Sequence, residues 1–172
     1  LKSLGWRRPI TKLPSLSAQE RRARLMASPQ LVALLGDDLV SKGGPVKTAD
    51  ALAGKKFVMV YFSAHWCPPC RGFTPQLAAK YSSAAAQNNI EVVFVSSDRD
   101  EAAFNEYYGE MPWLALPFSA RETKKSLSEK YGIRGIPTLV VLNSEGALVT
   151  ANGRGELGKY FGDGSKKGCC IL

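Results

Sequence analysis

Residues 57–75 read FVMVYFSAHWCPPCRGFTP. The first six, Phe57 to Phe62, are apolar at odd and even positions alike, which a strand tolerates when helices cover both faces of its sheet. The chain then passes through Trp66-Cys67-Pro68-Pro69-Cys70 into residues 71–86 (RGFTPQLAAKYSSAAA), a segment of helix formers with Pro75 as an expected kink and Asn88-Asn89 as its end. A second buried strand, Ile90 to Val95 (IEVVFV), follows. This is a β-α-β unit, whose crossover makes the two strands parallel.

Downstream, Asp100 is placed to cap a helix through Tyr108, and a further helix at about 121–131 is closed by Gly132. Met111-Pro112-Trp113 lies between them. Thr138 to Leu142, the turn Asn143-Ser144-Glu145-Gly146 and Ala147 to Thr150 predict a terminal hairpin. Upstream, residues 31–35 (LVALL) and Leu39-Val40 are expected to form a small hairpin about Gly36-Asp37-Asp38. Ser17 to Glu20 matches a capping box that opens a short helix to about Met26. The order β-α-β-α-α-β-β predicts an α/β fold, a mixed central sheet with helices on both faces, preceded by an extra N-terminal helix and hairpin. Three regions result: a basic arm and short helix over 1–28, the α/β domain over 29–154, and a flexible tail over 155–172.

A chain of 172 residues, 45% hydrophobic, suits one substantial core. Its net charge of +8 is lopsided, because Lys2, Arg7, Arg8, Lys12, Arg21, Arg22 and Arg24 face only Glu20 within residues 1–28. That arm carries +6 of the total and the body is nearly neutral. Without aromatic residues interleaved among basic ones along the body, nucleic-acid binding is not expected. An acid-poor, serine-containing arm reads as solvated surface, with a mitochondrial transit segment as the alternative. No apolar stretch approaches the about 20 residues that a membrane-spanning helix needs. Four cysteines in two close pairs do not resemble a loop-closing disulfide framework, so a reducing compartment such as the cytosol is expected.

Disulfide exchange needs one thiolate that attacks and a second thiol near enough to release the mixed disulfide. Cys67 and Cys70 at the start of a helix meet both needs. A helix beginning just after Cys67 lays its positive end against that sulfur, so Cys67 is assigned as nucleophile and the deeper Cys70 as resolving thiol. Pro68 and Pro69 fit first-turn positions, where a missing N–H costs little, and leave fewer donors facing the sulfur. A zinc site is the competing reading of Cys-x-x-Cys, but its other half is missing: Cys169 and Cys170 are adjacent and His65 is the sole histidine. No metal and no bound cofactor are expected. Trp66 is expected to shield the thiolate and offer partners an apolar face, against the alternative of an ordinary core tryptophan. His65 reads either as a tuner of the thiol or as an exposed side chain without a role. Ile136-Pro137 precedes a strand, and a cis bond there would let the Ile136 backbone pair with an extended substrate. A trans turn proline is equally compatible with the local sequence.

The strings YFSAHWCPPCRGFTP (61–75), EVVFVSSDRDEAAF (91–104), EMPWLALPF (110–118) and YGIRGIPTLVVLNSEG (131–146) together resemble the nucleoredoxin and tryparedoxin family of thioredoxin-fold proteins, over about residues 31–154. The resemblance implies the thioredoxin fold, with Cys67 as exposed nucleophile, Cys70 as resolver, Trp66 as a wall of the site and Pro137 as a cis proline facing the disulfide. It also implies Arg154 as a binding residue, at the place where tryparedoxins carry an arginine for the carboxylate of a dithiol cofactor. Tryparedoxins carry a tryptophan in the segment that reads Ser96-Ser97-Asp98 here, and its absence tilts the resemblance toward nucleoredoxins. Thioredoxins bury an aspartate where this chain has Tyr61, and a phenol is a poor proton acceptor. Asp98 is therefore the candidate proton relay for Cys70.

The last four residues, Cys169-Cys170-Ile171-Leu172, fit a C-a-a-X box with Cys169 as lipidation site, and Lys166 and Lys167 would add attraction to an anionic membrane surface. The sequence as a whole predicts a protein-disulfide reductase or exchanger. Its expected partners are disulfide-containing proteins, peroxidases among them, and an external dithiol or NADPH-linked reductase as electron donor. A redox-sensing adaptor that binds a signalling partner in one oxidation state is the alternative.

Overall fold

In the computed structural model, residues 27–162 are described. The elements are α1 (Pro29–Leu35), β1 (Asp38–Ser41), β2 (Gly44–Lys47), α2 (Thr48–Ala51), β3 (Phe57–Ser63), α3 (Pro68–Ala84), β4 (Ile90–Ser96), α4 (Glu101–Gly109), β5 (Leu114–Ala115), α5 (Arg121–Lys130), β6 (Thr138–Asn143), β7 (Leu148–Thr150) and α6 (Leu157–Phe161). The strands form one sheet in the order β2-β1-β5-β4-β3-β6-β7. The central pair β3/β4 is parallel in register from Phe57↔Ile90 to Ser63↔Ser96, and β6 runs antiparallel on the other side of β3. The expected mixed sheet and its terminal hairpin are both present.

Alternation along β3 explains why both faces are apolar. Met59 and Tyr61 point into a core shared with Phe73 and Leu77 of α3, Phe104 and Tyr107 of α4, and Tyr160 of α6. Val58, Val60 and Phe62 point into a second core with Leu31 and Leu35 of α1 and Leu127 of α5. Each fully buried side chain of this size contributes on the order of 1.5–3 kcal/mol relative to exposure. A single polar substitution on either face of β3 therefore opposes one of two cores.

Two expectations are corrected. Residues 31–35 are the end of a helix, and the hairpin lies one element later, with Asp38↔Lys47 to Ser41↔Gly44 paired. Ser28 caps that helix, its hydroxyl accepting from the Leu31 amide, and Pro29 supplies a first-turn residue that needs no donor. Leu31 and Leu35, four apart, share the face that is buried. Gly36, in the left-handed region at φ 84°, ends the helix instead of turning a hairpin. The second correction concerns the tail: Leu157–Phe161 form a short helix whose Tyr160 and Phe161 are buried, Tyr160 edge-on to Phe57 at 5.2 Å. The folded body thus extends past residue 154. Helix α3 continues through Pro75 to Ala84. The basic arm with its Ser17–Glu20 capping box and the Cys169 box lie outside the described residues.

Phe161→Ala is expected to lower unfolding free energy by about 3–5 kcal/mol in urea titrations, as for other buried aromatic truncations. A loss no greater than that of a surface substitution would separate α6 from the core.

Candidate active site

Strands β3 and β4 end side by side, so the loops that follow them, 64–67 and 97–100, meet at one edge of the sheet. Cys67 is the N-cap residue of α3, in extended backbone, and Pro68 and Pro69 occupy its first turn. The Cys67 carbonyl accepts from the amides of Cys70 (3.0 Å) and Arg71 (3.1 Å). With two prolines in the first turn, the sulfur faces the positive helix end but few free N–H groups. Cys67 and Cys70 are joined by a disulfide with Cα atoms 5.2 Å apart.

In this oxidised form Cys67 is 4% exposed and Cys70 fully buried. Both sulfur-bearing residues are thus buried, and the expectation of an exposed Cys67 is corrected: Ala64, Cys70 and Ile136 pack around it. What stands out to solvent is the rim. Trp66 is 56% exposed, with its indole N–H donating to the Ser97 carbonyl at 3.0 Å, and Pro68 and Pro69 are exposed. Trp66 is thus no core tryptophan.

The Ile136–Pro137 bond is cis, and the Ile136 carbonyl oxygen lies 3.8 Å from Cys67 Sγ. Arg154 reaches back to donate to the Pro137 carbonyl at 2.9 Å, its guanidinium 5.0 Å from the Phe73 ring. Pro69, Gly72, Phe73, Pro137, Arg154 and Leu157 line an open groove of about 640 Å³ beside the disulfide. Neighbouring Gly153 donates to Leu139 O at 2.9 Å, and a Cβ on it would stand 2.8 Å from that oxygen, so the approach of this loop to β6 requires glycine.

Asp98 is buried and belongs to the same edge. One carboxylate oxygen accepts from the His65 amide at 2.7 Å and the other from the Ser96 hydroxyl at 2.8 Å. Arg121 donates to the Ser96 and Asp98 carbonyls, both at 3.3 Å, while stacking on Phe118. The 96–98 segment therefore holds both His65 and Trp66 of the cysteine loop. His65 is partly exposed, its ring stacked on Tyr107 and its Nδ1 3.7 Å from the Glu106 carboxylate.

Behind Cys70 lies a group of hydroxyls that sequence reading did not single out. Tyr61 Oη, Thr74 Oγ1, Tyr107 Oη and Ser63 Oγ form a closed ring with contacts of 2.9, 2.5, 3.1 and 3.0 Å, and Thr74 Oγ1 also donates to the Cys70 carbonyl at 3.1 Å. Each hydroxyl has one proton, so five contacts share four. With Thr74 donating to Cys70, both tyrosines donate to Thr74 and Ser63 donates to Tyr61. Burial pushes the Tyr61 phenol well above its ordinary pKa, and the hydrogen bond it accepts from Ser63 offsets only part of this. Tyr61 is thus a neutral structural group and no proton acceptor. Thr74, one helical turn after Cys70, carries a local signal in its spacing; Tyr107 carries none.

The Thioredoxin-like family model matches residues 54–148. Tryparedoxin of Trypanosoma brucei brucei is 48% identical over 118 residues, covering 68% of this chain and 81% of that protein. Probable nucleoredoxin 1 of Arabidopsis thaliana is 46% identical over 127 residues, 74% of this chain but 22% of the relative, so the chain spans about a fifth of that protein's length. Among solved structures, tryparedoxin from Trypanosoma brucei superposes with a TM-score of 0.72 at 41% identity, covering 80% of this chain and 96% of the other.

Replacing Asp98 by alanine strands a part-buried amide and a buried hydroxyl, and is expected to cost about 1–3 kcal/mol in denaturant unfolding. Asp98→Asn, which keeps one acceptor, should lose less; equal losses would show that the carboxylate bonds do not hold the loop.

Proposed function

As this chain belongs to the thioredoxin-like family, we propose that it is a thiol-disulfide oxidoreductase that reduces or exchanges disulfides in proteins. The observation that carries this reading is the Cys67–Cys70 disulfide at the N-terminus of α3, flanked by the exposed Trp66 and the cis Ile136–Pro137 bond. In the reduced form the Cys67 thiolate attacks one sulfur of a partner disulfide, forming a mixed disulfide and releasing the other sulfur as a thiolate that takes up a proton. Cys70, as thiolate, then attacks the Cys67 sulfur. The Cys67–Cys70 bond forms, the mixed disulfide breaks and the second partner thiol leaves. Two electrons have passed to the partner, and an external dithiol or an NADPH-linked reductase returns them.

Position supports a role for each of the remaining site residues. An extended partner segment lying across Ile136 and Pro137 meets backbone at the sulfur, with Trp66, Pro68 and Pro69 as apolar walls. Arg154 fixes the Pro137 carbonyl and lines the groove, where its charge suits a carboxylate on the partner or the donor. Asp98, held at the cysteine loop, is the acceptor we assign to the Cys70 proton. An unchanged Cys70 titration in Asp98→Asn removes it from the mechanism. Disulfide-bearing peroxidases are one partner class that this exchange would serve.

In a multi-turnover insulin-reduction assay with excess dithiol, wild type should outpace Cys67→Ser, which should fall to the rate of the dithiol alone. Cys70→Ser should accumulate mixed disulfides that identify partner and donor. If wild type is no faster than Cys67→Ser, the chain acts as a redox-state-dependent adaptor and the enzymatic reading fails.

A further inference from the structure

Tyr107 touches both arms of the cysteine loop from an element outside it. On the upstream arm its ring stacks on His65, two residues before Cys67, with centroids 5.4 Å apart and planes 20° from parallel. On the downstream arm its hydroxyl lies 2.5 Å from Thr74 Oγ1, which in turn donates to the Cys70 carbonyl. The same hydroxyl is 3.1 Å from Ser63, the last residue of β3. Tyr107 is fully buried on α4 and meets Phe94 of β4 edge-to-face at 5.7 Å, so its own position is fixed by the core. The two segments that carry the sulfurs are thereby referred to one common side chain.

We propose that Tyr107 is a positioning residue that sets how effectively the Cys70 thiol is presented to Cys67. The proposal rests on the exchange chemistry above and concerns its second step. There the Cys70 thiolate attacks the Cys67 sulfur, the Cys67–partner bond breaks, and the partner leaves as thiolate. The rate of that step and the equilibrium stability of the resulting disulfide both scale with the effective concentration of one sulfur at the other. Loosening either arm lowers that concentration without altering the intrinsic reactivity of Cys67. The hydroxyl of Tyr107 supplies the downstream constraint and its ring the upstream one.

The test equilibrates wild type, Tyr107→Phe, Thr74→Val, their double variant and Thr74→Ser with reduced and oxidised dithiothreitol, and reads the dithiol fraction by alkylation and mass. Tyr107→Phe should weaken disulfide formation about fivefold, the scale of one net hydrogen bond, and Thr74→Val, which also removes the bond to the Cys70 carbonyl, at least as much. The double variant should be no worse than Thr74→Val alone, because Thr74→Val already cuts the connection that Tyr107→Phe removes. Thr74→Ser, which keeps the hydroxyl, should behave as wild type. Release of 2-nitro-5-thiobenzoate from a Cys67 mixed disulfide should slow in parallel, whereas alkylation of Cys67 in a Cys70→Ser background should not change. Folded variants that match wild type, additive effects in the double variant, or a Thr74→Ser as impaired as Thr74→Val would each overturn the proposal. Should Tyr107→Phe fail to fold, the Thr74 pair decides on the same readouts. Wild type that neither equilibrates with dithiothreitol nor reduces insulin would sink the exchange reading itself, before any variant is compared.

Discussion

The parallel pairing of β3 with β4 is the constraint on which the rest of the structure depends. Seven residues of each strand run in register, and apart from the half-buried Phe57 at the start of β3 both strands are buried. Backbone groups in such a setting must pair within the sheet, because neither face offers water. Parallel strands start at one edge and finish at the other, so the loops after β3 and β4 are brought together by the pairing itself. One loop carries the cysteines and the other carries Ser97 and Asp98, which accept from Trp66 and His65. The site is an outcome of sheet geometry before it is an outcome of side-chain choice.

On the opposite side of β3, β6 runs antiparallel and begins where β3 ends, with Phe62 opposite Thr138. That register delivers Ile136 and Pro137 to the same edge, and the loop after β7 is drawn in close enough for Arg154 to bond the Pro137 carbonyl. Three separate crossings of the sheet therefore converge on the disulfide. Each is secured by a different kind of contact: carboxylate bonds for the loop after β4, sulfur–carbonyl packing for Ile136, and a guanidinium bond for the Gly153–Arg154 turn.

Much of this was readable in the chain because the strong signals are local. The two-faced apolar runs at 57–62 and 90–95, the cap at Asp100 and the Cys-x-x-Cys spacing all express their physics within a few residues. The LVALL run is ambiguous because five consecutive apolar residues fit a buried strand as well as a helix face, and the arbiters, Ser28 and Pro29, stand just before it. Strand β5 is two residues long and exists only because β4 and β1 flank it. Helix α6, five residues with Gly158 inside and Gly162 at its end, is weak by composition, yet tertiary burial of Tyr160 and Phe161 holds it. At the site, the paired cysteines, the prolines and Trp66 were legible. The hydroxyl ring was not, since Tyr61 and Ser63, Thr74 and Tyr107 come from three elements and meet only in space.

That ring replaces, behind the resolving cysteine, a charged group by four neutral ones. A buried carboxylate beside a thiol pair takes up and releases a proton as its surroundings acidify, and the electrostatic backdrop of the sulfurs changes with it. Hydroxyls merely reorient. The wall that these four hydroxyls form behind Cys70 thus contributes no carboxylate of its own, and only its pattern of donors and acceptors rearranges.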